Sequence, residues 1–248
     1  MELMPIVKEL EGTDNAQRLL SLKRILKKNK IKYTAESYGG GENILIGNGN
    51  VLFVAHHDTV SGSPGANDNA SAIAVLIGLA KKRKAAIVIF GEEELGYVGS
   101  AAYIEKHPLP KTVIDLELMG MGDLMAIWPV SEERPLLDKI RKGLRKAAIP
   151  FEEAKQVPAF WADFTAFRNA GLKDAWCLTL VPSSEKNLIR TFATRPMLAA
   201  LRVIFGRMPR FFKCYHSPED KSAHLSEKSL QLSLKAVVSV YDELHGKT

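Results

Sequence analysis

Three adjacent glutamates follow a short apolar run in IVIFGEEELG, residues 87–96. The dense run of isoleucine, valine and phenylalanine is typical of a buried strand in a parallel sheet. Carboxylates crowded at the end of such a strand repel one another, and burying them costs free energy unless a cation cancels their charge. Glu92, Glu93 and Glu94 therefore indicate either a solvated acidic loop or the edge of a metal site.

Two other apolar runs also end in side chains that bind metals or protons. They are VLFVA at 51–55, which is followed by His56, His57 and Asp58, and VIDLEL at 113–118, which contains Asp115 and Glu117. Ligands of open α/β sheets bind beyond the carboxyl ends of the strands, so we expect these groups to converge. In an extended chain His56 and Asp58 point to one face, which suits a histidine that binds metal and is held by a carboxylate.

Two more candidates lie in loops. Asp68 lies in GANDNASA at the start of a predicted helix, a normal place for an N-cap aspartate, and His216 lies in YHSPED near the C-terminus. The carboxylates that would share one crevice are Asp58, Asp68, Glu93, Glu94 and Glu117. One divalent cation would leave three of their five negative charges and two cations would leave one, so the pattern favours two metals. Histidines mixed with carboxylates suit zinc, with cobalt or manganese as substitutes.

Five segments resemble, in the correct order, the signature motifs of the di-zinc aminopeptidases of the bacterial leucyl aminopeptidase type, within the zinc-dependent exopeptidase superfamily. They are HHD, GANDNASA, GEEELGYVGS, VIDLELMG and YHSPED, and the resemblance runs from about Val51 to Asp220. The resemblance implies a phosphorylase/hydrolase-like zinc exopeptidase fold. It also implies a metallo-aminopeptidase that removes N-terminal residues from peptides, using a water activated by two zinc ions and a glutamate general base.

The resemblance also implies a role for each candidate. His56 and Glu117 would bind one zinc ion, Glu94 and His216 the other, and Asp68 would bridge the two. The family most often has aspartate where this chain has Glu117, so Asp115, two residues earlier on the same strand face, is a rival ligand.

The remaining roles concern proton transfer and support. Glu93 would be the general base, Asp58 would hold His56, and Asp163 in WADFTAF corresponds to an aspartate near the site. The family usually has histidine at the position of Phe164, a departure that bears on the substrate pocket. The nearby Phe160, Trp161 and Phe167 either shape that pocket with Phe164 or pack in the core.

Other functions stay open at this stage. Carboxypeptidases and dipeptidases belong to the same superfamily, and glutaminyl cyclase is a transferase on a related fold that uses one zinc ion. A non-catalytic binding domain is a further alternative. Such a domain typically loses ligands or the base, and none is plainly missing here.

The alternation of apolar strands with helices predicts an α/β fold, with a mostly parallel mixed sheet and helices on both faces. We expect residues 1–248 to form a single catalytic domain. Residues 183–213 are apolar and basic and do not fit the alternation. They are interpreted as a core-packing helix, a lid over the site, or a contact between copies in a homo-oligomer.

The amino-acid composition limits the classes of partner and the cellular compartment that we expect. The net charge of +6 comes from lysine-rich helix ends that lack interleaved aromatic residues, so we expect no nucleic acid partner. No apolar stretch is long enough for a membrane span, and the N-terminus lacks a signal-peptide pattern. The two cysteines, Cys177 and Cys214, form no disulfide framework, so we expect a cytoplasmic protein with free thiols.

Overall fold

The structure is a computed structural model that describes residues 1–155, 162–205 and 213–246. The strands are β1 (Thr34–Tyr38), β2 (Gly41–Ile46), β3 (Val51–His56), β4 (Ala86–Phe90), β5 (Thr112–Glu117), β6 (Leu124–Trp128), β7 (Phe151–Glu153) and β8 (Ala175–Val181). The helices are α1 (Met4–Leu10), α2 (Asn15–Lys28), α3 (Ala72–Lys82), α4 (Val98–Lys106), α5 (Pro135–Lys146), α6 (Phe164–Asn169), α7 (Lys186–Thr194), α8 (Pro196–Phe205) and α9 (Glu227–Leu244).

The strands form one eight-stranded sheet in the order β1-β2-β4-β3-β5-β8-β6-β7. Its centre is parallel, because β3 pairs in parallel with both β4 and β5, and β5 pairs in parallel with β8. β2 joins β4 and β6 joins β8 in the antiparallel sense, which makes the sheet mixed. The predicted α/β fold with a mostly parallel mixed sheet is confirmed.

Apolar side chains alternate between the two faces of the sheet. On β3, Phe53 and Ala55 join one core cluster, whereas Leu52 and Val54 join the other. Helices α1, α2, α3, α5 and α9 pack in the first cluster, and α4, α6, α7 and α8 pack in the second. A strand buried on both faces needs no polar alternation, which explains the continuous apolar runs in the sequence.

Asp14 followed three residues later by Gln17 is a sequence pattern that predicts a helix start, and α2 begins there. The Asp14 side chain accepts a hydrogen bond from the Gln17 backbone N–H at 2.8 Å, which caps the first turn. The sequence analysis missed α1 and β7, which have only seven and three residues. Elements this short span too few residues for a hydrophobic period to appear.

The 183–213 segment contains α7 and α8, and its residues 206–212 lie outside the described part of the chain. Ile189, Phe192 and Ala199 are buried in the second core cluster, in line with the core-packing interpretation. Met197 and Phe205 of α8 are 69% and 81% exposed. A lid or an oligomer contact stays a prediction. Among the described helices, none has the length and apolar character that crossing a bilayer requires.

Candidate metal centre

The candidate residues converge because three strand ends are neighbours. Strand β3 lies between β4 and β5, and His56 at its end is in register with Phe90 of β4. The His57 backbone N–H donates to the Phe90 carbonyl at 2.8 Å, which continues the pairing one residue further. Glu117 ends β5, so the carboxyl ends of all three strands lie side by side.

Two histidine–carboxylate groups meet at Asp68. His56 Nε2 lies 3.1 Å from Asp68 Oδ1 and 3.5 Å from Glu117 Oε2. His216 Nε2 lies 3.2 Å from Asp68 Oδ2 and 3.1 Å from Glu94 Oε2. Each oxygen of Asp68 therefore faces a different histidine, and each histidine has one further carboxylate beside it.

The local backbone turns Asp68 into the site. The predicted helix begins only at Ala72, and residues Ala66–Ser71 form a wide π-type turn in which Asp68 has non-helical φ and ψ angles of −110° and 87°. The Asp68 side chain therefore does not cap the helix in the way that an N-cap aspartate does. Its two oxygens face His56 and His216 instead.

The donor set fits metal ions. Ligand atoms of His56, Asp68 and Glu94 all lie within 4.8 Å of one another, and the other two distances above bring in Glu117 and His216. The buried oxygens Glu94 Oε1 and Glu117 Oε1 accept no hydrogen bond from any residue that the structure describes. Unsatisfied buried carboxylate oxygens beside imidazole nitrogens are the arrangement expected of zinc ligands.

The electrostatics of the protein alone leave this cluster short of positive charge. Burial, helped by the neighbouring Asp163, Glu117 and Glu94 and opposed by His56, raises the pKa of Glu93 to about 11. Burial also raises the pKa of Glu117 well above its usual range. Carboxyl groups that stay neutral because they are buried together ionise when cations bind beside them.

The two histidines respond in the opposite direction. Burial lowers the pKa of His56, but the carboxylates of Glu117 and Glu93 outweigh it and hold the pKa well above the usual value. For His216, hydrogen bonds that its ring donates to Asp68 and Glu94 overcome burial and raise the pKa to about 9. In the metal-free protein these imidazoles therefore carry part of the positive charge that the carboxylates require.

Asp58 supports the site in two ways. His56 Nδ1 lies 3.1 Å from the Asp58 backbone oxygen and 3.5 Å from its carboxylate, so the carbonyl is the nearer partner. The carboxylate accepts hydrogen bonds from the backbone N–H groups of Glu93 and Glu94, at 3.1 and 3.0 Å. Asp58 thus joins the end of β3 to the glutamate loop, a contact that the sequence analysis did not foresee.

Asp115 and Glu117 point to the same end of the sheet but have different partners. Asp115 accepts a hydrogen bond from the Phe164 backbone N–H at 2.8 Å, and burial raises its pKa to about 7. Of the two, Glu117 is the one beside His56. Asp163 is fully buried, and neither of its oxygens accepts a hydrogen bond in the described part of the chain.

Phe164 and Phe167, the aromatic residues near Asp163 that the structure describes, belong to the core. Phe164 and Phe167 are 1% and 0% exposed, and the Phe164 ring meets Trp128 edge-on at 5.3 Å. Phe160 and Trp161 lie outside the described residues.

Residues 38–241 match the family model of peptidase family M28. This match covers most of the chain and includes all the candidate ligands. The chain belongs to peptidase family M28.

Relatives and solved structures agree with this M28 membership. Aminopeptidase YwaD of Bacillus subtilis is 27% identical over 199 residues, which cover 73% of this chain and 38% of YwaD. The solved structure of BSAP, a zinc aminopeptidase from Bacillus subtilis, has a TM-score of 0.62 at 22% identity, over 82% of this chain and 50% of that one. Glutaminyl cyclase of Bacteroides thetaiotaomicron has a TM-score of 0.67 at 16% identity, over 96% of both chains.

This chain spans only part of the length of its relatives. The chain spans 38% of YwaD and about a fifth of several fungal relatives, which are named vacuolar membrane proteases. At sequence identities of 22% and 16%, the solved structures establish the fold alone. The cytoplasmic location stays a prediction.

Asp220, which the sequence pattern did not single out, lies directly behind the candidate ligand Asp68. It is 1% exposed, and its two carboxylate oxygens accept from the backbone N–H groups of Asn67 and Asp68, at 2.7 and 3.1 Å. Its own carbonyl accepts from the Ala66 N–H at 3.1 Å. Asp220 follows His216 by four residues, so it ties the His216 loop to the turn that carries Asp68.

We expect Asp220→Asn to weaken zinc binding. The amide nitrogen of asparagine would face a backbone N–H, which replaces one hydrogen bond with two opposed donors. Residues that support a metal ligand typically change metal affinity by about 10–100-fold when replaced, and we expect a loss in that range. Competition of the protein with a chelating dye for zinc measures it.

The matched control is Glu219→Gln. The Glu219 side chain is 58% exposed and pairs with Lys221, so this neighbouring change should leave zinc affinity unaltered. Equal affinities for the Asp220→Asn and Glu219→Gln proteins would mean that Asp220 does not position Asp68.

Proposed function

We propose that this chain is a zinc-dependent aminopeptidase that hydrolyses N-terminal residues from peptides. The observation that carries the proposal is the pair of histidine–carboxylate groups that share Asp68, with Glu93 beside them. On this proposal His56 and Glu117 hold one zinc ion, Glu94 and His216 hold a second, and Asp68 binds both. Cobalt or manganese would substitute for zinc in the same ligands.

The charge of the site favours a substrate with a free amino terminus. With two zinc ions bound, one of the five negative charges would remain, and it would attract the ammonium group of a peptide and repel a C-terminal carboxylate. The nearby Arg18 is fully buried and donates to backbone carbonyls, so it is not available to bind a carboxylate terminus. These two features support an aminopeptidase over a carboxypeptidase.

On this proposal Glu93 is the general base. Its backbone is fixed by the Asp58 carboxylate, and its side chain is buried among the ligands without a place in either histidine–carboxylate group. Zinc held by those groups would polarise the scissile carbonyl and make a water molecule more acidic. Glu93 takes one proton from the attacking water while the water oxygen bonds to the carbonyl carbon.

The same carboxyl group completes the reaction. Glu93 returns its proton to the departing nitrogen as the carbon–nitrogen bond breaks. One water is consumed, and the products are a free amino acid and a peptide shortened by one residue. No group is oxidised or reduced, and at neutral pH the new carboxyl and amino groups of the products ionise to a carboxylate and an ammonium group.

Glutaminyl cyclase activity is the second candidate, because the solved cyclase of Bacteroides thetaiotaomicron shares this fold over 96% of both chains. In a cyclase reaction the α-amine of an N-terminal glutamine attacks the side-chain amide carbon of the same residue. Ammonia leaves, and no water is consumed. Five candidate ligands, rather than the smaller set needed for one zinc ion, support the peptidase instead.

A mass-spectrometric time course on a mixed peptide pool tests the proposal. Each peptide is supplied with a free and with an N-acetylated terminus, some begin with glutamine, and zinc or cobalt is added. We expect a ladder that shortens from the free N-terminus, with acetylated peptides intact.

The other outcomes are distinct. Shortening from the C-terminus would leave the metal site in place and overturn the substrate assignment. Loss of ammonia from glutamine peptides, with no residue removed, would identify a cyclase. Unchanged peptides with either metal would contradict both functions.

A further inference from the structure

Arg18 occupies a helix position that the sequence pattern assigns to the core. The apolar residues Leu22, Ile25 and Leu26 follow it at helical spacing on α2, and all three are buried with it. Arg18 itself is 0% exposed. A buried guanidinium is costly unless every donor has a partner, so the contacts of Arg18 should reveal what it does.

The partners of Arg18 are backbone carbonyls rather than carboxylates. Nε donates to His57 O at 2.6 Å, and Nη2 donates to Gly65 O at 2.7 Å. Nη1 donates to Leu10 O at 2.8 Å and, at 3.5 Å, to Pro64 O. Three of these four carbonyls belong to one loop, residues 57–65.

That loop joins two candidate ligands of the metal centre, His56 and Asp68. It begins directly after His56 and ends three residues before Asp68. Arg18 binds both of its ends, at His57 and at Gly65. Gly65 leaves little room for change, because a Cβ there would lie 2.8 Å from Arg18 Nη1 and 3.0 Å from Thr59.

The charge of Arg18 faces the same site. The carboxylates that act on it most strongly are those of Asp68, Asp220, Asp58 and Glu94. None of them forms an ion pair with Arg18. The guanidinium is thus a fixed positive charge near these carboxylates. Its N–H groups donate their hydrogen bonds to backbone carbonyls.

We propose that Arg18 is a positioning residue for the metal centre. Its planar fork holds the two ends of loop 57–65 and so sets the distance between His56 and Asp68. The inference rests on the proposed function, because it takes these residues as metal ligands. A lysine in place of Arg18 would keep the charge, but its single nitrogen cannot reach carbonyls of His57, Leu10 and Gly65 with the same fixed geometry.

The test compares Arg18→Met, Arg18→Lys and Arg24→Met. Arg24 lies on the same helix, its side chain is 61% exposed, and it pairs with Glu9, so Arg24→Met is the matched control. Each protein is titrated with cobalt, and the visible spectrum of the bound ion reports the ligand geometry. Competition with a chelator gives the metal affinity, and thermal unfolding of the metal-free proteins reports the fold.

We expect Arg18→Met to weaken cobalt binding by about 10–100-fold and to alter the cobalt spectrum, in the range of other groups that support ligands. Arg18→Lys should recover part of the affinity, and Arg24→Met should match the wild type. If Arg18→Met does not fold, Arg18→Lys decides, because it must still bind cobalt more weakly and with a changed spectrum.

A role in folding alone predicts a different result. Arg18→Met or Arg18→Lys would then unfold at a lower temperature but bind cobalt with the wild-type affinity and spectrum, and that result would overturn the inference. These readouts do not depend on peptide cleavage. A wild-type protein that binds cobalt without cleaving peptides would contradict the proposed function and leave the comparison of Arg18 variants decisive.

Discussion

Glu93→Gln is expected to lower kcat for peptide hydrolysis by about 10²–10⁴-fold, the usual contribution of a general base. Glutamine keeps the size and shape of the side chain but cannot accept a proton from water. Zinc should still bind, because neither histidine–carboxylate group includes Glu93. Steady-state kinetics on a peptide substrate and the zinc content of the same preparation measure the two effects separately.

The fold should tolerate this change. The pKa of Glu93 is raised to about 11, so in the metal-free protein its carboxyl is neutral at pH 7 while an unfolded chain would ionise it. A carboxyl whose pKa rises on folding costs stability above its unfolded pKa. Glutamine removes that cost, and the Tm of the metal-free variant should not fall.

Glu92→Gln is the matched control for the general base. Glu92 is the adjacent residue, and none of the contacts at the histidines involves it. We expect its kcat to stay close to wild type. Full activity in the Glu93→Gln protein, or a loss confined to Glu92→Gln, would show that the base has been assigned to the wrong residue.

The sequence predicts the site best where local pattern decides position. His56 follows an uninterrupted apolar run and Glu117 ends a largely apolar one, and the end of a buried parallel strand is where polar side chains gather. The order of the strands does not follow from such runs. β4 lies between β2 and β3 although it follows both in the chain, and only this order places Glu93 beside Asp58.

Long-range backbone contacts are the part that the sequence could not supply. Asp220 binds an N–H group 152 residues away, and Arg18 binds a carbonyl 47 residues away. Partners of this kind carry no side-chain signature, because every residue has the same amide. The one signal available was an arginine at a core position of α2, and a single sequence does not say what such a residue binds.

Asp68→Asn should remove both zinc ions, the largest effect on metal content of any single change. Each carboxylate oxygen of Asp68 faces a different histidine, so a neutral amide weakens two sites at once. Burial opposes ionisation of Asp68, but hydrogen bonds from His216 and His56 hold its pKa well below the usual range, which keeps an anionic ligand in place. Zinc per chain after dialysis, measured by elemental mass spectrometry, records the loss.

Comparison with single-site variants makes this result specific to a shared ligand. Glu117→Gln should cost one zinc ion and His216→Ala the other, since each residue lies in only one of the two groups. Asp138→Asn, at a side chain that is 67% exposed and paired with Arg141, should cost none. If Asp68→Asn kept one zinc ion while Glu117→Gln or His216→Ala kept none, the ions would not share Asp68. A single zinc ion per wild-type chain would favour the one-zinc glutaminyl cyclase alternative over the peptidase.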